Sequence, residues 1–171
     1  MPPLRMLKTF ALIVVLMISG CGYTIQSRSD LPFSDASIGR IGNMTSEPKL
    51  QDIMARTLSE VLMEYGFRVR ADAPYRIEGD ITRFDLRILS EKALTATEYE
   101  VVIEGSFRVI DIQKGSVTTL SEMKSPFVTS FNSGGRIESV IALKELAIAT
   151  GLRNLSQELV EKILAQKETG R

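Results

Sequence analysis

Two stretches of the chain repeat apolar residues at the spacing of an amphipathic helix. Residues 46–65 carry one apolar stripe at i, i+3, i+4 and i+7, made of Leu50, Ile53, Met54, Thr57, Leu58, Val61, Leu62 and Tyr65. Ser46 is predicted to cap this helix, with Pro48 in its first turn. A second helix is predicted from about residue 136 to residue 166. Its buried stripe is expected to consist of Ile141, Ile148, Leu152, Leu155, Leu159 and Ile163.

Five further stretches favour strands, namely residues 37–41, 67–71, 75–89, 98–112 and 117–129. In the third of them the alternating apolar positions change parity, from Ile77 and Ile81 to Phe84 and Leu86. Because a shift of one residue turns every following side chain over, we expect a β-bulge near Thr82 and Arg83. The polar residues 90–96, which include Lys92, are predicted to form a connecting loop, and residues 113–116 a hairpin turn.

The strand at residues 98–112 has one apolar and one polar face. The apolar face carries Tyr99, Val101, Ile103, Phe107 and Val109. The polar face carries Glu98, Glu100, Glu104, Ser106 and Arg108. Such alternation is typical of an antiparallel sheet that is covered on one side only. The order of elements therefore predicts an α+β fold, with an antiparallel sheet of about four to five strands and two helices packed on one face.

The N-terminus has the pattern of a secretory signal. Arg5 and Lys8 precede an apolar run at residues 10–18, which is too short for a membrane-spanning helix of about 20 residues. Cys21 follows Ile18, Ser19 and Gly20, a sequence that resembles the lipobox of bacterial lipoproteins. The resemblance implies cleavage before Cys21 and acylation of its sulfur and its new amine. The alternative is a plain signal peptide with a chance cysteine.

These features divide the chain into a removed signal peptide at residues 1–20, a lipidated leader at 21–35, a single domain at 36–166 and a frayed tail at 167–171. In lipoproteins of this kind, aspartate after the acylated cysteine commonly retains the protein in the inner membrane. Gly22 occupies that position here. We therefore expect a protein anchored through lipid on the periplasmic side of the outer membrane.

The composition argues against catalysis and against nucleic-acid binding. Without Arg5 and Lys8 the mature chain has 19 basic and 21 acidic side chains, and so balanced a charge makes nucleic acid an unexpected partner. The chain has no histidine and one cysteine, which excludes a Ser-His-Asp triad, a Cys-His pair and a histidine-ligated zinc site. No metal or cofactor is expected beyond the lipid on Cys21. A carboxylate-dependent hydrolase is the weakest alternative.

Several motifs, taken in order, resemble the lipopolysaccharide-assembly lipoproteins of the LptE family. Residues 21–23 (Cys-Gly-Tyr) are similar to the usual mature start, and residues 43–48 to an Asn-x-Thr-x-x-Pro entry into the first helix. Residues 71–81 are similar to the family's turn-and-strand segment, and residues 97–101 to the start of its long central strand. Residues 39–42 depart from the family, whose members often have an apolar-Pro-Phe run there. The first strand is therefore expected to be less buried.

The resemblance implies a partner and a place of action. Members of the family sit in the lumen of the outer-membrane β-barrel LptD, help it to fold, and bind lipopolysaccharide on its way to the cell surface. Barrel interiors are polar, so Glu98, Glu100, Glu104 and Arg108 are candidate contacts with the barrel. The alternative is that this face simply meets water. Two other interpretations stay open, an auxiliary lipoprotein of an ABC-type lipid transporter and a secretin pilotin.

The resemblance also implies a lipopolysaccharide-binding site. The family's glycolipid-binding basic residues lie just before the long central strand and near the start of the last helix. Counting along the sequence assigns these roles to Lys92 and, within one residue, to Arg136. Arg83 and Arg87 would extend the patch. Lysine and arginine pair with lipid A phosphates through charge-assisted hydrogen bonds, although each of the four could equally be a solvated charge.

Overall fold

The computed structural model describes residues 31–92, 95–132 and 137–169. For some of these residues, among them Lys92 and Glu98, only the backbone is described. The elements in chain order are β1 (Asp35–Asn43), α1 (Leu50–Glu64), β2 (Arg68–Val69), β3 (Tyr75–Lys92), β4 (Thr95–Asp111), β5 (Ser116–Asn132) and α2 (Ile137–Thr169). The fold is α+β, as the sequence predicts.

The described strands form one five-stranded sheet in the order β2-β1-β3-β4-β5. The pairs β3–β4 and β4–β5 are antiparallel, whereas β1 runs parallel to both β2 and β3. The predicted antiparallel sheet is confirmed for β3, β4 and β5, and the sheet has a small parallel part at the edge that holds β1 and β2. The reason is that α1 carries the chain back to the end of the sheet where β1 begins, so the strands that follow run parallel to β1.

Both helices pack on the same face of the sheet and enclose the core. Leu58 of α1 and Leu155 of α2 are fully buried, as are Ile77 and Ile103 of the sheet, and all four belong to one apolar cluster. The predicted stripe of α1 is confirmed: its buried members are Leu50, Met54, Thr57, Leu58, Val61 and Leu62, and Ile53 and Tyr65 are partly buried. The sheet face opposite the helices, which we call the open face, is left without a covering element among the described residues.

Ser46 does not cap the first helix. Helix α1 begins after Lys49, which has a left-handed φ of 65° and makes no side-chain cap hydrogen bond. Asn43 instead organises the loop before the helix. Its Oδ1 accepts a hydrogen bond from the Thr45 backbone N–H at 3.0 Å, and its Nδ2 donates to the Glu47 carbonyl at 2.7 Å. The Asn-x-Thr part of the loop motif thus has a structural role.

Ile141 is expected in the buried stripe of α2, but its side chain is 61% exposed. The other five predicted positions are buried. Lys144 reaches Glu47, just before the start of α1, with an Nζ–Oε1 distance of 2.8 Å. Ile141 lies one turn earlier in α2 than Lys144. At that level α2 extends past the start of α1, so α1 does not cover Ile141.

The connection predicted at residues 90–96 is largely strand. β3 continues to Lys92, β4 resumes at Thr95, and these two residues are paired in register. The two strands thus extend as a hairpin well past the segment whose alternation is visible in the sequence. The predicted bulge is confirmed by a register shift between Ile81 and Arg83.

Phe107 explains why the sheet carries glycine at two core positions. A Cβ at Gly79 would overlap the ring of Phe107 and the backbone carbonyl of Ser106, and one at Gly105 would lie 2.8 Å from the same ring. The aromatic ring therefore occupies the space that two side chains would otherwise need. In β1, Ile38 and Ile41 are only partly buried, in line with the departure from the family pattern at residues 39–42.

Helix α2 continues to Thr169, within the segment for which a frayed tail is predicted. The boundaries proposed for the leader, the domain and the tail stay predictions.

Candidate functional site

The open face is dominated by charged side chains that β3 and β4 place opposite one another. After the bulge, Arg83 and Arg87 of β3 point to this face, and the register sets them directly across from Glu104 and Glu100 of β4. Phe84 and Leu86, which alternate with these arginines, point to the helix side. The bulge that changes the parity of the apolar positions in β3 therefore also places Arg83 and Arg87 on the open face.

The facing residues form a continuous ladder of ion pairs. Arg83 contacts Asp85 (Nη2–Oδ2 2.6 Å) and Glu104 (Nη1–Oε1 2.9 Å). Arg87 contacts Glu100 (Nη1–Oε2 3.3 Å) and lies 3.6 Å from Asp85. Asp85 thus bridges two arginines along its own strand, and each arginine also reaches across to β4. We call these five residues the ion-pair ladder.

A second group of charges lies nearer the other end of the same face. Arg108 of β4 pairs with Glu78 of β3 at 2.8 Å, and Arg76 approaches the other oxygen of Glu78 at 3.7 Å. Glu78 and Arg108 are opposite in register. Cross-strand pairs of opposite charge stabilise a sheet modestly, and this one repeats the pattern of the ladder beyond the bulge.

Val102 is an apolar residue buried beneath the ladder. It alternates with Val101 and Ile103, which face the helices, so its side chain points to the open face. It is only 1% exposed, and it is paired in register with Asp85 and with Val128. The ladder residues flank Val102 on this face, and long charged side chains can cover apolar surface with their aliphatic stems while their heads stay in water.

The ladder holds its charges in place while leaving them accessible to solvent. The side chains of Arg83 and Arg87 are 44% and 49% exposed. Hydrogen bonds to Asp85, and then to Glu104, raise the pKa of the Arg83 guanidinium further above its already high ordinary value. Exposed ion pairs of this kind contribute little net stability. An anionic ligand could therefore take over an arginine from its carboxylate without unfolding the sheet.

The structure brings together residues that the sequence assigns to two separate sites. Arg83 and Arg87, predicted for lipopolysaccharide, pair with Glu104 and Glu100, predicted for the barrel. Arg108 lies on the same face.

The other predicted site residues are placed only in part. The backbone of Glu98 is paired with Asn132 and Ser90, and Lys92 ends β3. Arg136 and Cys21 lie outside the described residues, and so does the predicted leader up to residue 30.

Sequence reasoning missed the carboxylates of β3, Glu78 and Asp85, and the neighbouring Arg76. The signal for Asp85 was available, because the bulge that turns Arg83 to the open face turns Asp85 with it. Glu78 lies before the bulge, where the even-numbered residues share the face of Arg108. Only the register between the two strands shows which charges meet.

The described residues hold no group of three or more histidine, cysteine, aspartate or glutamate side chains placed to bind a metal ion. Among the helices described, neither has the length and apolar content needed to cross a membrane.

A protein-family comparison identifies the chain. The family model described as LptE, lipopolysaccharide-assembly, matches residues 33–166. The chain belongs to the LptE family. The match begins two residues before β1 and ends within α2, so it includes the whole sheet and both faces described above. LptE is a family of non-enzymatic cell-envelope lipoproteins, and membership supports a role in lipopolysaccharide assembly.

Solved structures share this fold at low sequence identity. Uncharacterized lipoprotein B from Nitrosomonas europaea aligns with a TM-score of 0.60 and 16% identity, covering 87% of this chain and 94% of that chain. A minor lipoprotein from Acinetobacter baumannii aligns with a TM-score of 0.52 and 14% identity, covering 80% and 95%. A putative lipoprotein from Caulobacter crescentus gives 0.51 and 11%, covering 77% and 92%. No curated protein sequence matches the chain significantly.

Proposed function

We propose that this LptE-family protein is anchored in the outer membrane through Cys21, occupies the lumen of the LptD β-barrel and binds lipopolysaccharide during its transport. The match of the family model to residues 33–166 carries the proposal. Removal of residues 1–20 and acylation of Cys21 belong to the proposal, and so does localisation to the periplasmic side of the outer membrane.

The division of the molecule into an enclosed core and a charged open face supports the barrel partner. The lumen of a large outer-membrane barrel is polar and hydrated, so a protein inside it needs an exterior that tolerates water. The open face meets this need because its charges are already paired with one another. Glu100, Glu104 and Arg108 can then form hydrogen bonds with the barrel wall, and no charge is left buried without a partner.

The arrangement of basic residues along β3 supports lipopolysaccharide binding. Arg83 and Arg87 lie on one face, and Lys92 ends the same strand. At about 3.3 Å per residue, these three positions span roughly 30 Å. Lys92 and Arg136 are proposed to make the primary contacts with lipid A phosphates. Arg83 and Arg87 are proposed to join by exchanging a carboxylate partner for a phosphate, because both kinds of pair are charge-assisted hydrogen bonds.

Photo-crosslinking in cells tests the orientation of the protein in the barrel. Ser106 and Thr119 are exposed residues of the open face outside the ion-pair ladder, so replacing either with a photoreactive residue leaves the ladder intact. Both positions are expected to capture LptD. Arg56, an exposed residue of α1, is the control on the helix side and is expected to capture LptD less efficiently. Capture from Arg56 alone would show that the helix side of the protein, and not the open face, lies against the barrel wall.

Charge reversal tests the lipopolysaccharide site. The double variant Lys92→Glu, Arg136→Glu is expected to bind lipopolysaccharide more weakly with its circular dichroism spectrum unchanged. The double variant Lys49→Glu, Arg56→Glu changes the net charge by the same amount at exposed positions before and within α1, and it is expected to retain binding. Equal binding by the two double variants would remove Lys92 and Arg136 from the mechanism.

A further inference from the structure

The turn between β4 and β5 carries aliphatic side chains that nothing in the described structure covers. Ile112 and Val117, on either side of the turn, are 45% and 57% exposed. Val117 is paired in register with Ile110, which follows Arg108 at the two-residue spacing of one strand face. The three residues Ile110, Ile112 and Val117 therefore form an apolar end to the otherwise charged open face. We call them the turn patch.

The turn patch lies at the same end of the sheet as the start of the described chain. The ring of Phe33 stacks on that of Tyr75 with a centroid distance of 4.2 Å. Tyr75 is paired in register with Asp111, and the Ile112 N–H donates a hydrogen bond to the Pro74 carbonyl at 2.8 Å. The chain thus enters the domain one strand away from the turn.

The length of chain before this entry point limits where the lipid anchor can be. Leu31 is buried in the core cluster, so the domain is fixed from that residue onward. Ten residues lead from Cys21 to Leu31, and even fully extended they reach at most about 35 Å. If Cys21 is acylated, as the proposed function requires, the end of the domain that carries the turn patch is held within about 35 Å of the membrane.

Lys114 adds a positive charge at the tip of the turn. Its side chain is 78% exposed, and its nearest carboxylate, that of Asp111, is 3.9 Å away. Exposed aliphatic residues beside a basic residue are typical of surfaces that bind the membrane interface, where the apolar groups enter the acyl boundary and the cation stays among the phosphates. The exposed aliphatic residues Leu86, Ile88 and Leu89 lie far along β3 from Tyr75, at the end away from the anchor.

We propose that the turn patch and Lys114 form a membrane-contact tip that enters the headgroup region of a phospholipid bilayer beside the lipid anchor. The inference rests on the proposed acylation of Cys21. With two points of contact the bilayer orients the domain, because the anchor alone fixes only its distance. The ion-pair ladder then lies at the part of the open face that is away from the anchor, because Arg83 and Arg87 are far along β3 from Tyr75.

Single-tryptophan variants test this tip, since the natural sequence contains no tryptophan. Ile112→Trp and Val117→Trp are prepared in the acylated mature protein and reconstituted in vesicles of phosphatidylethanolamine with a minor fraction of phosphatidylglycerol. Ile88→Trp and Leu146→Trp are the controls, because both positions are as exposed as the turn patch and lie elsewhere on the molecule. Quenching by lipids with brominated acyl chains then reports which indoles reach the bilayer.

In the two turn variants the tryptophan fluorescence is expected to be blue-shifted, and the brominated lipids are expected to quench most of its intensity. In the control variants the fluorescence intensity is expected to be unchanged by the brominated lipids. Adding Lys114→Glu to Val117→Trp is expected to reduce the quenching. Turn variants that are quenched no more than the controls would overturn the inference. Mass spectrometry of the same samples separates the two proposals: an unacylated Cys21 contradicts the proposed function and this inference with it, whereas an acylated protein with an unquenched turn contradicts the inference alone.

Discussion

Replacing Leu155 with alanine is expected to lower the free energy of unfolding by about 2–5 kcal/mol. Leu155 is fully buried in the core cluster that α2 shares with α1 and the sheet. Its truncation removes apolar contacts and leaves a cavity that close-packed neighbours cannot fill. Leu58→Ala, on the facing stripe of α1, is expected to have an effect of similar size. Chemical denaturation of the purified mature protein measures both.

Leu146→Ala supplies the matched control, because it makes the same chemical change in the same helix at a side chain that is 62% exposed. Its effect is expected to stay within about 0.5 kcal/mol. If Leu155→Ala were as mild as Leu146→Ala, the helix face assigned to the core would be wrong.

Cys21→Ser is expected to abolish both maturation and lipid anchoring in the outer membrane. In bacterial lipoproteins the signal peptidase acts on the acylated cysteine, so the variant should accumulate as a full-length precursor. If Cys21 is acylated as proposed, each buried methylene of the acyl chains contributes about 0.8 kcal/mol to membrane binding, so two or three long chains make release negligible. Mass spectrometry of the purified chain gives the mass of the precursor and of any acyl groups.

Gly22→Asp provides the companion variant for sorting. It keeps Cys21 and is expected to be cleaved and acylated normally, but to remain in the inner membrane. Separation of the two membranes on a density gradient distinguishes these results. A Cys21→Ser chain of mature size would contradict the lipoprotein assignment, and a Gly22→Asp chain in the outer membrane would contradict the sorting argument only.

The local part of the fold could be predicted from the sequence. The stripe of α1 is visible in the sequence because the buried face of a helix places an apolar residue at every third or fourth position, within one short stretch of the chain. The bulge of β3 is visible for a similar reason, since one inserted residue between Ile81 and Phe84 is enough to reverse the alternation that follows. The family motifs added the expected fold and role, and the family match confirms the membership.

The parts that depend on distant contacts were missed. The parallel pairing of β1 with β2 and β3 follows from the path of the chain through α1. The pattern of apolar and polar residues in β1 does not indicate this path. Ser46 is a plausible N-cap by composition, but Asn43 already organises the loop that precedes the helix. Residues 90–96 carry no alternation, so the sequence does not show that the pairing of β3 and β4 continues through Lys92 and Thr95.

The ion-pair ladder shows the same limit at the candidate site. The arginines and glutamates are visible in the sequence, and their positions on two strands led to their assignment to two ligands. The register of β3 against β4 sets Arg83 opposite Glu104 and Arg87 opposite Glu100. Their pairing means that neither set acts alone, and that any anionic ligand must compete with carboxylates already in place.

The most direct test of the proposed function is to purify the full-length tagged protein from detergent-solubilised outer membranes and identify what remains bound to it. Incorporation into the LptD barrel predicts one large outer-membrane β-barrel, LptD, in stoichiometric amount, and its loss when Cys21→Ser keeps the chain from reaching the outer membrane. Recovery of an inner-membrane ABC-type transporter, or of a secretin, in place of LptD would contradict the account.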